Sequence, residues 1–188
     1  ALWAAAALVC DVASAQPFPS RPITVIMPFA GGSASDVVSR VLFNKMAAIL
    51  GQPIVVENKP GAGGNLGTAL AARAPPDGYT LVGAASGPLA ANLTLYKDLG
   101  FDPQEIVLIS PFASFTIVVA ASRKLGVTTL DDLIARARKE PGALNYGSVG
   151  IGSSQHLAGE YFAQVAKVKL THVPYRNIAQ FGPDLIAG

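Results

Sequence analysis

The chain has 188 residues, 51% of them hydrophobic and 14% charged, with a net charge of +2 and a mean hydropathy of +0.40. That much apolar material excludes a disordered chain and is enough for one domain or two small lobes. The near-neutral balance, with no basic block interleaved with aromatics, excludes a nucleic-acid surface, and a single cysteine, Cys10, excludes a disulfide framework within the chain.

Residues 1–15 read as an apolar signal-peptide core that ends in Ala13-Ser14-Ala15, an A-x-A cleavage pattern ahead of Gln16. With no starting Met and no basic flank, the sequence is expected to begin inside that signal. Leu8-Val9-Cys10 loosely resembles a lipid-attachment box, but Val9 is bulkier than such boxes have before the cysteine, so cleavage is the preferred reading. A cleaved chain then carries no thiol into an oxidising compartment.

Beyond Pro17, Pro19 and Pro22, the β-rich run 23–27 predicts a buried strand ending at Pro28. Asp36 opens a predicted helix that places Val38, Leu42, Met46 and Ile49 on one face and stops at Gly51. A strand over 54–57 leads into the glycine-rich stretch 58–65, followed by a helix over 66–73. Pro75-Pro76-Asp77-Gly78 is a turn, 79–84 a strand, and Ser86-Gly87-Pro88 leads to a short helix over 89–96. Apolar runs follow at 106–109 and 115–121. The chain is expected to leave a first lobe between Arg123 and Thr128. Thr129 with Asp132 three residues on forms a capping box for a helix through Lys139, which Pro141-Gly142 ends. A strand over 144–147, a helix over 153–165, a strand over 170–174 and a helix from about Ala179 complete the alternation. Such alternation with short links argues for an α/β fold with parallel, doubly wound sheets, whose ligands bind beyond the carboxyl ends of the strands.

The chemistry concentrates in two turns, Pro28 to Asp36 and Tyr146 to His156. Each hands a strand to a helix through glycines and serines, which leaves helix-start N–H groups facing the turn and favours an anion there. The two turns are expected to face each other across a cleft and hold a small carboxylate. The first turn is equally readable as a tight connection that needs glycine, and Asp36 as a helix cap. Gly61 to Gly67 lacks the G-x-G-x-x-G spacing of a dinucleotide turn and reads as a structural loop or a cleft rim. Ser153, Ser154 and His156 lack a G-x-S-x-G elbow, so no catalytic residue is assigned, and His156 is expected to pack or hydrogen-bond near the site. His172 is read as structural. Two separated histidines predict no metal site, and no cofactor is expected.

Taken together, the motifs resemble the periplasmic solute-binding proteins of tripartite tricarboxylate transporters, the Bug family. The resemblance rests on Arg21-Pro22-Ile23, Pro28-Phe29 with Gly32 and Asp36, the stretch Gly51 to Asn65, and Pro76-Asp77-Gly78-Tyr79-Thr80-Leu81. It continues through Leu144 to Ser148, Gly152-Ser153-Ser154, His156 to Glu160, and His172-Val173-Pro174-Tyr175-Arg176. It implies a type II periplasmic binding-protein architecture of two doubly wound lobes, here 16–123 and 124–188, with the second lobe and the return to the first incomplete. It further implies a monomer in the periplasm that binds a small organic carboxylate and delivers it to membrane permease subunits. Carried onto this sequence, it places Phe29, Ala30, Gly31, Gly32, Ser35, Asp36, Ser86, Gly87, Ser148, Gly152, Ser153, Ser154, His156, Tyr175 and Asn177 around the cleft. The sequence departs from the family where Ser33 replaces a second glycine, where Asn177 replaces another, where 102–105 runs short, and where Gly182-Pro183 is expected to interrupt the last helix. The rival readings are a nucleotide-dependent or hydrolytic α/β enzyme, a ligand sensor, and a nonfunctional truncated remnant.

Overall fold

The computed structural model describes residues 17–175 and 178–188. The signal segment 1–15 with Cys10, and the site residue Asn177, lie outside them. The strands are β1 (Ile23–Met27), β2 (Ile54–Asn58), β3 (Thr80–Val82), β4 (Asn145–Ser148) and β5 (Thr171–Pro174). The helices are α1 (Ala34–Leu50), α2 (Asn65–Ala72), α3 (Asn92–Leu95), α4 (Leu130–Lys139), α5 (Ser154–Ala166) and α6 (Ile178–Ala187). They form two parallel sheets, one of three strands in the order β2-β1-β3 and one of two, β4-β5. In the first, Ile23 pairs with Ile54 and Val25 with both Val56 and Leu81; in the second, Tyr146 pairs with His172.

The first sheet is centred on β1, whose Val25 and Met27 are fully buried against Phe43 of α1, with Leu42, Met46, Ile54, Val56 and Leu81 packed around them. Burying side chains of this size contributes about 1.5–3 kcal/mol each, so this cluster fixes the strand from which the first turn departs. A Cβ at Gly83 would collide with the Met27 sulfur, and the absence of a side chain there lets the chain leave β3 over the core.

Three expectations are corrected. Helix α1 begins two residues earlier than expected and buries Asp36, Ser39 and Phe43, while Val38 and Ile49 are exposed. Its inward face near the start is polar because those groups are paired: the Ser39 hydroxyl donates to the Asp36 carbonyl at 2.8 Å. Strand β3 is only three residues long. Helix α6 runs through Gly182 and Pro183 without interruption. The apolar stretch 106–122 joins no helix or strand, and Val107, Leu108, Ile109, Val118 and Val119 are exposed. Phe112 is its anchor, ring to ring with Phe43 at 6.0 Å.

Candidate functional site

Two helix starts are built on the same plan. In the first, Ser33 caps α1 by accepting the Asp36 N–H at 3.3 Å, and the Asp36 carboxylate reaches back to accept the Gly32 N–H at 2.9 Å. In the second, Ser153 caps α5 by accepting the His156 N–H at 3.3 Å, and His156 Nδ1 accepts the Gly152 N–H at 3.3 Å. Both turns also close with the cap carbonyl accepting from the fourth residue on, Val37 and Leu157. The cap thus uses the third helical N–H. Helix geometry leaves the first two, on Ala34 and Ser35 and on Ser154 and Gln155, as donors at the two helix starts. Partial positive charge of this kind attracts an anion without an arginine.

The first turn is braced from the sheet. The Asn58 amide at the end of β2 donates to Asp36 Oδ1 and to the Phe29 carbonyl, and Arg40 Nε lies 3.1 Å from both Asp36 oxygens. Burial alone would raise the Asp36 pKa, but the Arg40, Gly32 and Asn58 donors together hold it below the ordinary carboxylate range. Asp36 is therefore an ionised brace with its oxygens already taken, and the cap itself is Ser33, three residues earlier. In the second turn, Ser148 Oγ contacts His172 Nε2 at 2.7 Å and accepts the Gly150 N–H at 3.0 Å. Burial, then the neighbouring His156, lowers the His172 pKa, and the rings of His156 and His172 lie 4.3 Å apart. Tyr146, stacked on His172, donates to Glu160 at 2.6 Å; burial and that bond raise its pKa.

One cavity joins the two regions. It has a volume of about 20 Å³ and is lined by Phe29, Ala30 and Ser33 of the first turn, Gly61 and Gly64 of the glycine-rich stretch, and Val149 and Tyr175, the residues that follow β4 and β5. That volume accepts about one water.

Of the residues expected around the cleft, Phe29, Ala30 and Tyr175 line this cavity. Gly31 and Gly32 are exposed on the turn beside it, and the Ser35 hydroxyl contacts Ser33 at 3.1 Å. Ser153 Oγ and His156 Nδ1 accept N–H groups within the second turn, and Ser148 Oγ is shared between Gly150 and His172 of β5. Ser86, Gly87, Gly152 and Ser154 meet one another directly instead: the Ser86 and Ser154 hydroxyls are 3.1 Å apart, and a Cβ on Gly87 would lie 2.6 Å from the Gly152 carbonyl oxygen. The sequence reading missed Ser33, Asn58, Val149 and Asn92. Asn92 had a signal, as an amide inside the run 89–95, which is apolar apart from it and Thr94. For Val149 there was none beyond its place in the turn.

The comparisons with known proteins agree on one family. Residues 38–188 match the family model described as tripartite tricarboxylate transporter family receptor. Bordetella pertussis BugT is 34% identical over 189 residues, which cover 100% of this chain and 58% of that protein. Among solved structures, Rhodopseudomonas palustris MatC with bound malate aligns with a TM-score of 0.84 at 30% identity, covering 91% of this chain and 58% of that one. A second R. palustris protein, solved with adipate, aligns with a TM-score of 0.78 at 32% identity, over 91% and 57%. The chain spans about half the length of the curated relatives it matches. No helix among the described residues is long and apolar enough to cross a membrane.

Proposed function

The chain belongs to the tripartite tricarboxylate transporter receptor family, a family of substrate-binding proteins and not of enzymes, and from that premise we propose that it captures a small organic carboxylate outside the cytoplasm for delivery to a membrane permease. The observation that carries this reading is the serine-capped helix start Gly32 to Asp36, whose Ser33 lines a cavity closed on its other side by Val149 and Tyr175, with a second start of the same plan, Gly152 to His156, three residues beyond Val149. Residues 16–123 and 124–188 act as two lobes that part to admit the ligand and close over it. The cavity volume of about 20 Å³, room for a water, supports that parting. In the ligand-bound arrangement one carboxylate sits against the free N–H groups of Ala34 and Ser35, and the other end of the ligand lies towards Val149 and Tyr175. Helix-start amides and hydroxyls supply the field, at about 0.3–1 kcal/mol for each helix end before burial strengthens it. The neighbours solved with malate and adipate support a dicarboxylate as the first class to try. A monomer in the periplasm is the form that suits capture and delivery.

Isothermal titration of the full chain with malate, adipate and the uncharged diamide of succinic acid tests the proposal. Saturable heat with at least one dicarboxylate and none with the diamide is the expected result; silence towards both acids would overturn it.

A further inference from the structure

We propose that a seam of backbone contacts bordering the cavity holds the two lobes together before any ligand arrives, and so sets carboxylate affinity through closure. The inference rests on the two-lobe reading above. The seam brings Gly63, Gly87, Asn92 and Tyr96 of the first lobe against Ile151 and Gly152 of the second, and none of these six residues lines the cavity.

The glycines are where the backbones meet. Gly63 stands at φ +62°, and a Cβ there would run into the Ile151 carbonyl oxygen. A Cβ on Gly87 would crowd the Gly152 carbonyl oxygen, and one on Gly152 would run into Asn92 Oδ1. In each case the direction a side chain would take is filled by a Cα hydrogen aimed at an oxygen across the seam. This is the weak Cα–H···O contact that recurs where backbones pack closely. Two conventional interactions flank these contacts. The Tyr96 hydroxyl donates to the Ile151 carbonyl at 2.9 Å, and the Ser86 and Ser154 hydroxyls meet at 3.1 Å.

Asn92 makes the seam poised instead of locked. It is fully buried, and its Nδ2 donates to Asn65 Oδ1 at 2.6 Å, which turns its Oδ1 towards Gly152 with no conventional hydrogen-bond donor among the described residues. Parting the lobes would let water reach that oxygen. The cross-seam contacts therefore favour closure while the bare amide oxygen opposes it, and small changes at the seam shift the balance. A ligand that finds the lobes already closed in part of the population has less rearrangement left to drive.

The test uses no ligand, so it stands or falls separately from the carboxylate reading. In a Cys10→Ser background, Val41→Cys on α1 and Val165→Cys on α5, both exposed, carry nitroxide labels, and their separation is read by pulsed electron spin resonance. The parent is expected to give a single narrow distance. Tyr96→Phe, which deletes one hydroxyl–carbonyl bond, is expected to raise the population of a longer distance by roughly two- to tenfold. Gly63→Ala, a wedge in the seam, is expected to make the longer distance dominant. Gly51→Ala is the control: Gly51 has a similar φ of +69° but no atom near its missing side chain, so it should leave the distance unchanged. If Gly63→Ala does not fold, Tyr96→Phe decides. A broad distribution in the parent, no response to Tyr96→Phe, or an equal response to Gly51→Ala would each overturn the proposal.

Discussion

Asn58 Nδ2 donates to Asp36 Oδ1 at 2.8 Å, tying the end of β2 to the first turn of α1 across 22 positions of sequence. The bond sets the mouth of the first turn, because the same amide also holds the Phe29 carbonyl. Asp36→Ala removes an ionised acceptor and strands three donors. A hydrogen bond to a charged group contributes about 1.5–3 kcal/mol net, and Arg40, half exposed, recovers part of its loss in water. A stability loss of about 2–3 kcal/mol is expected in urea unfolding, with Asp36→Asn losing less.

Stability should fall in two steps on acidification. His172 is held neutral by burial, so its pKa in the folded chain lies below the ordinary 6.5. Its contribution is complete above that value and is lost as pH falls through the window beneath it, where the unfolded chain takes a proton that the folded chain refuses. Asp36 is depressed from the ordinary 3.8, so its contribution is complete above that value and disappears only in stronger acid. Urea midpoints measured from pH 8 to about pH 2 should show both steps. His172→Gln should flatten the upper one alone.

Gly67→Ala should destabilise the chain although it improves helix propensity. Alanine gains about 1 kcal/mol over glycine inside a helix. However, a Cβ on Gly67 would sit 2.7 Å from the Lys59 carbonyl oxygen and 2.8 Å from Pro28 Cα, both backbone atoms that cannot swing away. Overpacking of this kind costs about 1–3 kcal/mol and prevails. Thermal unfolding should shift down by a few degrees, on the order of 2–4 °C per kcal/mol for a chain of this size.

The capping box of α4 is exposed and separable from the site. Thr129 Oγ1 accepts the Asp132 N–H at 3.1 Å, and Asp132 accepts the Thr129 N–H at 3.0 Å. Thr129→Ala should cost about 1 kcal/mol and speed hydrogen exchange in the first turn of α4 while α5 stays protected.

Local rules carried the order of elements. Short β-branched runs, the Thr129–x–x–Asp132 cap and glycine stops sit where their chemistry requires, and every predicted helix and strand of that order is present within a few residues. What local rules did not carry is partnership. The inward face of α1 was misread because buried Asp36 and Ser39 are tolerable only with Gly32, Asn58 and Arg40 in place, and periodicity weighs apolar residues alone. Pro183 was expected to break a helix that accommodates it. At the site, glycines and serines were legible as turn-formers, but which faced the cavity and which faced one another depended on the approach of the two sheets, to which Gly87 and Gly152 contribute by having no side chain.

The stretch 106–122, which pairs with no strand among the described residues, has its own cost in handling. Its amides and carbonyls lie outside any ladder while Val107 to Ile109 and Val118 to Val119 meet solvent, and it has no Lys or Arg before Arg123 to repel a neighbour. Concentrated stocks should turn cloudy and bind thioflavin through this stretch. Lysine at positions 108 and 118 should keep them clear.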